Sequence, residues 1–382
     1  MKISLSVPGR FHAFALAKYL SDNGHLHCLV TSYPKFEVKK YGIPDGKIRT
    51  ILSKEILMRG FKKLTGKYPS GVFLNNWFDR IASHKLPSDS DIYVIWAGFA
   101  SYTIKRLQKK NPRAKFIIER GSAHIEVQNE LLKLFHKNAE PINDQVIKKE
   151  KIEYELADFI SLPGLFAKKS FIGKGISAEK LLINHYGVDL SIFKQGPQKK
   201  TSQSPFTVGY VGAISHQKNV KGIIAACQAL IEKGHHLKLI LAGAIDSSSF
   251  TKEEITIESF IDYLGIVPEK ELPNIYAQMD VFILNSVQDG FGMVLLQAMA
   301  MGVVPIATSN TGGPDVIRND ENGFIIPILD DFALANSIEL LIKSPKKKEV
   351  MGLHALETVT SGFTWDDYGQ RSIIMYRKIL DT

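Results

Sequence analysis

The chain contains little cysteine: of its 382 residues only Cys28 and Cys227 are cysteines, far apart and each among apolar neighbours. Two such residues predict small core side chains in a reducing compartment, and they exclude a disulfide framework. The sequence also lacks cysteine pairs at zinc spacing, a His-Glu-x-x-His run, a P-loop and a Gly-x-Ser-x-Gly turn. Because these motifs of zinc enzymes, P-loop proteins and serine hydrolases are missing, no metal site is expected.

Long apolar runs are missing as well. No stretch reaches the roughly 18 apolar residues that a membrane-spanning helix needs, and the N-terminus opens into a strand-like run rather than a signal peptide. We therefore expect a cytoplasmic protein. Residues 51–67 are rich in Leu, Ile, Lys and Arg. They leave two interpretations open: a basic surface in peripheral contact with an anionic inner membrane face, or a solvated helix of the first domain.

Positive charge is in excess, because 48 Lys and Arg residues face 39 Asp and Glu residues and give a net charge of +9. This balance suits an anionic membrane, a phosphorylated substrate or nucleic acid, and equally a plain solvated surface. No RNA-binding or zinc-finger motif accompanies the charge, so nucleic acid is not an expected partner. The length is comfortable for two hydrophobic cores.

Short apolar runs alternate with amphipathic helical stretches in both halves of the chain. This alternation predicts an α/β fold made of two Rossmann-like, doubly wound parallel-sheet domains. The predicted strands are 2–7, 26–31, 92–97, 115–119, 158–162 and 180–184 in the first half, and 207–211, 237–242, 281–284 and 303–307 in the second.

A polar segment separates the two halves. Residues 194–205 read KQGPQKKTSQSP, which is rich in Pro, Gly and Ser, has no periodicity and predicts a linker. We predict an N-terminal domain at 1–195, a C-terminal domain at 206–360 and an amphipathic C-terminal helix within 361–382. The apolar side of that helix needs a surface to cover.

The most informative segment connects a predicted strand to a predicted helix through the loop Asp289-Gly290-Phe291-Gly292. The glycines let the backbone turn tightly and approach a ligand. The helix start offers free N–H groups and the positive end of its dipole. We therefore predict a phosphate site, placed where doubly wound sheets bind ligands. Taken alone, the loop also fits an ordinary strand-to-helix turn.

The segment from Asn285 to Ile306 resembles the signature of family-4 glycosyltransferases of the GT-B fold, Glu-Gly-Phe-Gly followed by an apolar pair, Leu-Glu-Ala-Met and Gly. Further motifs across most of the chain agree with this resemblance, and together they are highly specific. They are Tyr186-Gly187-Val188-Asp189 with Phe193, Ala157-Asp158 with Phe166-Ala167, Leu264-Gly265-Ile266-Val267 with Leu272 and Tyr276, and Thr311-Gly312-Gly313-Pro314-Asp315 with Asn322-Gly323-Phe324.

The resemblance implies that the two domains face each other across a cleft, that the first domain binds the acceptor and that the second binds the nucleotide sugar. It also implies that the C-terminal helix packs back on the first domain. Asp289 would contact the donor sugar or its phosphate, and Gln297 the ribose hydroxyls. The full set of implied donor-binding residues is Gly9, Arg10, Gly212, Lys218, Val267, Asp289, Gly290, Phe291, Gly292, Met293, Val294 and Gln297.

The sequence departs from the family pattern at the two carboxylate positions. Asp289 stands where the family has Glu and is one methylene shorter, and Gln297 replaces a second Glu with a neutral amide. Since charge-assisted hydrogen bonds are roughly twice as strong as neutral ones, we expect weaker donor binding or a different donor.

A cation is also replaced. Ala213 stands where the resemblance implies an Arg, while Lys218 matches the family's Lys, with Lys221 as the alternative. Arg10, which follows Gly9 in the first loop, is our hypothesis for the charge that is lost at Ala213.

One first-domain segment, Glu119-Arg120-Gly121-Ser122-Ala123-His124, resembles the family segment whose His lies near the transferred sugar. This resemblance implies that His124 hydrogen-bonds the sugar and handles a proton; the alternative is a helix-start His satisfied by local backbone. For Arg120 the alternatives are contact with phosphate or acceptor, or an ion pair with Glu119.

The resemblance implies a retaining, metal-independent hexosyl transfer without a cofactor, with His124, Asp289 and Lys218 as the catalytic set. The donor would be a nucleoside-diphosphate sugar, UDP or GDP first, and the acceptor a glycan, a glycolipid or a small molecule. Synthesis of cell-surface polysaccharide or glycolipid is the expected process. The alternatives are a non-catalytic nucleotide-sugar-binding subunit and a sugar-nucleotide epimerase.

Overall fold

The computed structural model describes residues 1–53, 63, 71–135, 141–194 and 204–381. Most of the basic 51–67 segment and most of the 194–205 linker lie outside these described residues. Within the described part, no helix has the length and apolar character of a membrane span.

The first domain contains a parallel sheet of seven strands in the order β3-β2-β1-β4-β5-β6-β7. Its strands are β1 Ile3–Val7, β2 Leu26–Thr31, β3 Ile48–Thr50, β4 Ile92–Trp96, β5 Lys115–Glu119, β6 Phe159–Leu162 and β7 Leu181–Ile183. Its described helices are α1 Ala13–Asp22, α2 Lys35–Lys39, α3 Gly71–Lys85, α4 Ser101–Lys110, α5 Ile125–Phe135, α6 Asp144–Leu156 and α7 Leu165–Ile172.

The second domain contains a parallel sheet of six strands in the order β10-β9-β8-β11-β12-β13. Its strands are β8 Phe206–Val211, β9 Leu237–Ala242, β10 Ile261–Gly265, β11 Val281–Leu284, β12 Val304–Thr308 and β13 Phe324–Ile326. The helices that follow β8 are α8 Val220–Glu232, α9 Lys252–Thr256, α10 Leu272–Tyr276, α11 Met293–Ala300, α12 Gly313–Val316, α13 Asp331–Lys343, α14 Pro345–Thr360 and α15 Trp365–Leu380.

The fold class predicted from the alternation is confirmed: both sheets are parallel and doubly wound. The strands β1, β4, β11 and β12 are buried along their whole length, as the apolar runs predicted. Three strands that the sequence did not predict, β3, β10 and β13, all lie at sheet edges.

The strand order of each sheet positions a ligand site. In the first sheet the chain winds outward from β1 to β3 and then returns to pair β4 with β1; in the second it does the same with β8 and β11. Open α/β sheets bind ligands at the carboxyl ends of the strands where the order reverses. The two reversal points border one cleft between the domains.

The last helix, α15, covers the first domain. It starts with a capping box in which the Thr364 hydroxyl and the Asp367 carboxylate each bond the other's backbone N–H. Gly369 lies directly against the Tyr19 ring of α1, where a Cβ would come within 2.2 Å of the ring. The Arg371 guanidinium donates to the Asn184 side chain at 3.1 Å and to the His185 carbonyl at 2.7 Å, just past β7.

Candidate active site between the two domains

The cleft between the domains encloses about 570 Å³ and is lined by residues of both. The first domain contributes the ends of β4 and β5 and the turn after β1; the second contributes the ends of β8 and β11 and the start of α11. The predicted donor residues that line it are Gly212, Lys218, Asp289, Phe291, Gly292, Met293, Val294 and Gln297.

The loop before α11 has the geometry of an anion site. Gly292 caps the helix with φ 78°, a left-handed conformation that glycine adopts without strain. A Cβ there would also lie 2.5 Å from the Leu284 side chain. The first turn of α11 consequently opens into the cleft with N–H groups that have no partner within the helix, which suits a phosphate.

Lys218 and Asp289 form an ion pair at the edge of this loop. The Lys218 Nζ lies 2.5 Å from Asp289 Oδ2, and each side chain is 20% exposed. The other oxygen of Asp289 accepts a hydrogen bond from the Phe291 N–H at 3.2 Å, which holds the loop closed. The pair places one ammonium beside the helix start, within reach of a bound anion.

Gln297 lies one turn further along α11, and a hydrogen bond from Tyr276 fixes the orientation of its side-chain amide. The Tyr276 hydroxyl donates to Gln297 Oε1 at 3.0 Å and also lies 3.3 Å from the Val294 carbonyl. Burial raises the pKa of Tyr276 well above its ordinary value, so the hydroxyl remains a donor. With Oε1 occupied, the amide NH₂ group of Gln297 is left for a ligand.

The first-domain wall contains polar side chains that the sequence did not single out. His12, at the start of α1, donates from Nε2 to Glu119 Oε1 at 3.0 Å, and both side chains are buried. The ring of His12 lies 5.1 Å from Trp96 and 4.3 Å from Tyr186. These residues come together only when β1, β4 and β5 lie side by side in the folded sheet, so no local sequence motif predicts their contact.

Arg120 also lines the cleft, but its guanidinium contacts side chains of the first domain. One guanidinium nitrogen donates to Gln128 Oε1 at 2.6 Å, and Nε lies 3.3 Å from Glu150 Oε2. Burial alone would lower the pKa of Arg120, but Glu150 and Tyr154 outweigh it and raise the pKa. The ion pair weighed for Arg120 therefore forms with Glu150, not with Glu119.

Four of the twelve predicted donor residues lie outside the cleft lining, namely Arg10, Val267, Gly9 and Gly290. Arg10 donates to the Tyr41 hydroxyl at 2.7 Å and lies 3.5 Å from Glu269 of the second domain, with its side chain 47% exposed. This geometry does not favour the hypothesis that Arg10 replaces the cation lost at Ala213. Val267 is partly buried and packs against the core.

Gly9 and Gly290 are close-approach glycines beside the cleft. A Cβ on Gly9 would come within 2.8 Å of the Phe11 ring. A Cβ on Gly290 would come within 1.8 Å of the Gly121 carbonyl oxygen in the other domain. Gly290 therefore lies at the contact between the domains rather than in the lining itself.

His124 is buried in the first domain and does not line the cleft. Its ring centroid lies 5.2 Å from Tyr154 and 5.0 Å from Phe171, and Nδ1 accepts a hydrogen bond from the Glu126 N–H at 3.3 Å. Burial lowers the pKa of His124 to about 4. The structure fits the alternative interpretation, in which a histidine at a helix start is satisfied by the local backbone. The contact between His124 and the sugar stays a prediction, and the geometry does not favour it.

We expect His124 to make the fold sensitive to acid. Unfolded histidine takes up a proton near pH 6.5 and folded His124 only near 4, so stability is lost as pH falls through this window. The loss should reach about 2 kcal/mol between pH 7 and pH 5. Urea unfolding at both values should show a smaller loss for His124→Gln than for the unchanged chain, whereas equal losses would contradict the assignment.

Comparison with protein families matches residues 192–357 to the family described as "Glycosyl transferases group 1". The matched range contains Lys218, Asp289 and Gln297. The capsular polysaccharide biosynthesis glycosyltransferase CapM of Staphylococcus aureus is 29% identical over 184 residues, which are 46% of this chain and 47% of that protein. The chain thus spans about half the length of the curated relatives that it matches.

Solved structures resemble the whole chain. Sucrose-phosphate synthase from Thermosynechococcus elongatus gives a TM-score of 0.71 with 17% identity, covering 100% of this chain and 99% of that one. Anabaena HepE in complex with UDP-glucose gives 0.69 with 15% identity, covering 99% and 100%. At these identities the likeness shows the shared fold, the two-domain GT-B arrangement.

Proposed function

We propose that this chain, whose residues 192–357 match the family model of the group 1 glycosyl transferases, transfers a sugar from a nucleoside-diphosphate sugar to an acceptor hydroxyl. The observation that carries the proposal is the convergence of Lys218 and the start of α11 on one wall of the interdomain cleft. An ammonium and free helix N–H groups suit a diphosphate leaving group, and the opposite wall leaves room for a sugar and an acceptor.

In the proposed reaction the protein mainly aligns the acceptor hydroxyl with C1 of the sugar and stabilises the departing diphosphate. The C1–O bond to the diphosphate breaks, a bond from C1 to the acceptor oxygen forms, the diphosphate leaves with the electron pair, and the proton of the acceptor hydroxyl passes to the departing phosphate oxygen. Lys218 and the amides of Gly292 to Val294 stabilise the charge that develops there. We propose that the transfer proceeds without a metal, because these groups supply the positive charge, and that it retains the anomeric configuration, as the family resemblance implies.

The comparisons support a coarse choice of substrates. HepE is described in complex with UDP-glucose and CapM as a capsular polysaccharide biosynthesis enzyme. We therefore propose UDP or GDP as the nucleotide, and a growing glycan or glycolipid at the cytoplasmic membrane face as the acceptor.

A melting experiment tests the proposal. We expect one of UDP, GDP, ADP and CMP to raise the melting temperature by several degrees at 1 mM, because a ligand that binds only the native state stabilises it by mass action. Asp289→Ala should reduce this shift, and Lys252→Ala, an exposed residue outside the cleft lining, should not. No shift with any nucleotide or its sugar conjugates would contradict the proposed donor site.

A non-catalytic nucleotide-sugar-binding subunit is the second candidate. It is favoured by Ala213 and Gln297, which line the cleft where the family resemblance implied an Arg and a Glu. Such a protein would show the melting shift, yet it would release no nucleoside diphosphate from any donor and acceptor pair.

A further inference from the structure

Glu119 ends strand β5 in the wall of the cleft, and its side chain is 1% exposed. Oε1 accepts the hydrogen bond from His12 Nε2 at 3.0 Å. Oε2 is buried as well, and it has no hydrogen-bond partner within the described part of the chain. One oxygen of this carboxylate is therefore hydrogen-bonded, and the other has no hydrogen-bond partner within the described residues.

A buried polar atom without a partner is unfavourable and is rare in native proteins. An atom of this kind in the wall of a cleft is a candidate point of contact for a ligand. The side chains around Glu119 indicate which class of ligand suits the site. The centroid of the His12 ring lies 5.1 Å from that of Trp96 and 4.3 Å from that of Tyr186. Aromatic faces beside a single acceptor oxygen suit a sugar ring, which offers C–H faces and hydroxyl donors.

The neighbours of Glu119 in sequence touch the proposed phosphate loop. The Gly121 carbonyl oxygen lies directly against Gly290, and the Ser122 hydroxyl accepts from the Gln288 side chain at 2.7 Å. The pKa of Tyr186 is raised, first by burial and then by the carboxylates of Glu119 and Asp289, one from each domain. A sugar attached to a diphosphate on the loop would therefore reach the Glu119 wall.

We propose that Glu119 is a specificity-determining residue whose Oε2 accepts a hydrogen bond from a hydroxyl of the donor sugar. His12 is the positioning residue: its Nε2–H fixes the carboxylate and leaves Oε2 for the sugar. The inference rests on the proposed function and adds to it, because it assigns the sugar, rather than the nucleotide, to the first domain. No atom or proton is transferred in this contact.

The test compares each bare diphosphate with its sugar conjugates. The probes are UDP, UDP-glucose, UDP-galactose, UDP-N-acetylglucosamine, GDP and GDP-mannose. In the unchanged protein we expect one conjugate to stabilise beyond its bare diphosphate. In Glu119→Gln the extra stabilisation should vanish while the shift with the bare diphosphate remains, and kcat/KM for that conjugate should fall about 10- to 50-fold.

The variant His12→Asn tests whether His12 acts by positioning the Glu119 carboxylate rather than by stabilising the fold. If both residues act through one sugar hydroxyl, the double variant should lose no more kcat/KM than Glu119→Gln alone. Glu153→Gln is the matched control, because it removes another buried carboxylate of the same domain, one that accepts N–H groups from Gly98 and Ala100 at the start of α4. That variant should lower the melting temperature without changing the difference between diphosphate and conjugate.

The monodeoxy analogues of the preferred conjugate keep the test decisive even if Glu119→Gln does not fold. One analogue should lose the extra stabilisation in the unchanged protein, a result that does not depend on any variant. If Glu119→Gln folds, it should no longer distinguish that analogue from the parent conjugate. An undiminished sugar effect in Glu119→Gln, or equal binding of all analogues, would overturn this inference alone. Absence of any shift with UDP or GDP would overturn the proposed donor site, and this inference with it.

Discussion

Replacing Lys218 with alanine should lower kcat for glycosyl transfer on the order of 10²- to 10³-fold, because it removes a preformed charge from the leaving group. The Lys218 side chain is only 20% exposed, so its charge is weakly screened by water, and the ion pair with Asp289 fixes the position of the ammonium. Ala213 lines the same wall without a charge. Initial rates at saturating donor and acceptor measure the effect.

Lys221→Ala is the matched control for Lys218→Ala. The sequence left Lys221 open as the alternative cation, but its Nζ lies 5.2 Å from the Phe250 ring centroid, and Lys221 is not part of the cleft lining. We expect its kcat to stay within about twofold of the unchanged chain, as for most surface changes. An unchanged rate in Lys218→Ala, or an equal loss in both variants, would contradict the role of Lys218.

The sequence predicts the central strands well and misses three of the four edge strands, for one physical reason. A strand buried on both faces needs an uninterrupted apolar run, and β4 and β11 have one. An edge strand is half solvated, so its pattern is mixed. In β10, from Ile261 to Gly265, no residue is fully buried, and Leu264 is exposed.

The two walls of the cleft differ in the same way. Most of the second-domain wall follows from one contiguous segment, Leu284 to Gln297, in which the end of the strand, the glycine loop and the helix are adjacent in sequence; the end of β8 and Lys218 complete it. The first-domain wall is assembled from β1, β4 and β5, and the His12–Glu119 pair joins residues 107 positions apart. Sequence spacing carries no signal for such a pair.

Arg10 shows how a short turn redirects a prediction. Phe11 adopts a left-handed φ of 38°, which is uncommon for a bulky residue. The chain reverses there, so that His12 turns into the cleft and Arg10 stays at its outer edge with Tyr41 and Glu269. The sequence indicates the right loop, but the backbone decides which side chain of that loop lines the site.

Gly290→Ala should lower kcat/KM about 100-fold while the bare diphosphate still binds. A Cβ at this position would lie 1.8 Å from the Gly121 oxygen and 2.9 Å from the Ser122 Cα. Both neighbours are backbone atoms of the other domain, so no rotamer change relieves the clash. The domains would have to separate by about 1 Å, and a misplacement of that size costs roughly 10²-fold in rate.

Gly46→Ala is the control for this change, because Gly46 is exposed and no heavy atom lies within 4 Å of a Cβ built there. Its rate should match that of the unchanged chain. The nucleotide contacts proposed here all belong to the second domain, so the melting shift with UDP or GDP should survive in Gly290→Ala while turnover falls. Full turnover in Gly290→Ala would mean that the contact between Gly290 and Gly121 is not required during transfer. Loss of the nucleotide shift together with turnover would place the defect in the loop itself rather than in the approach of the two domains.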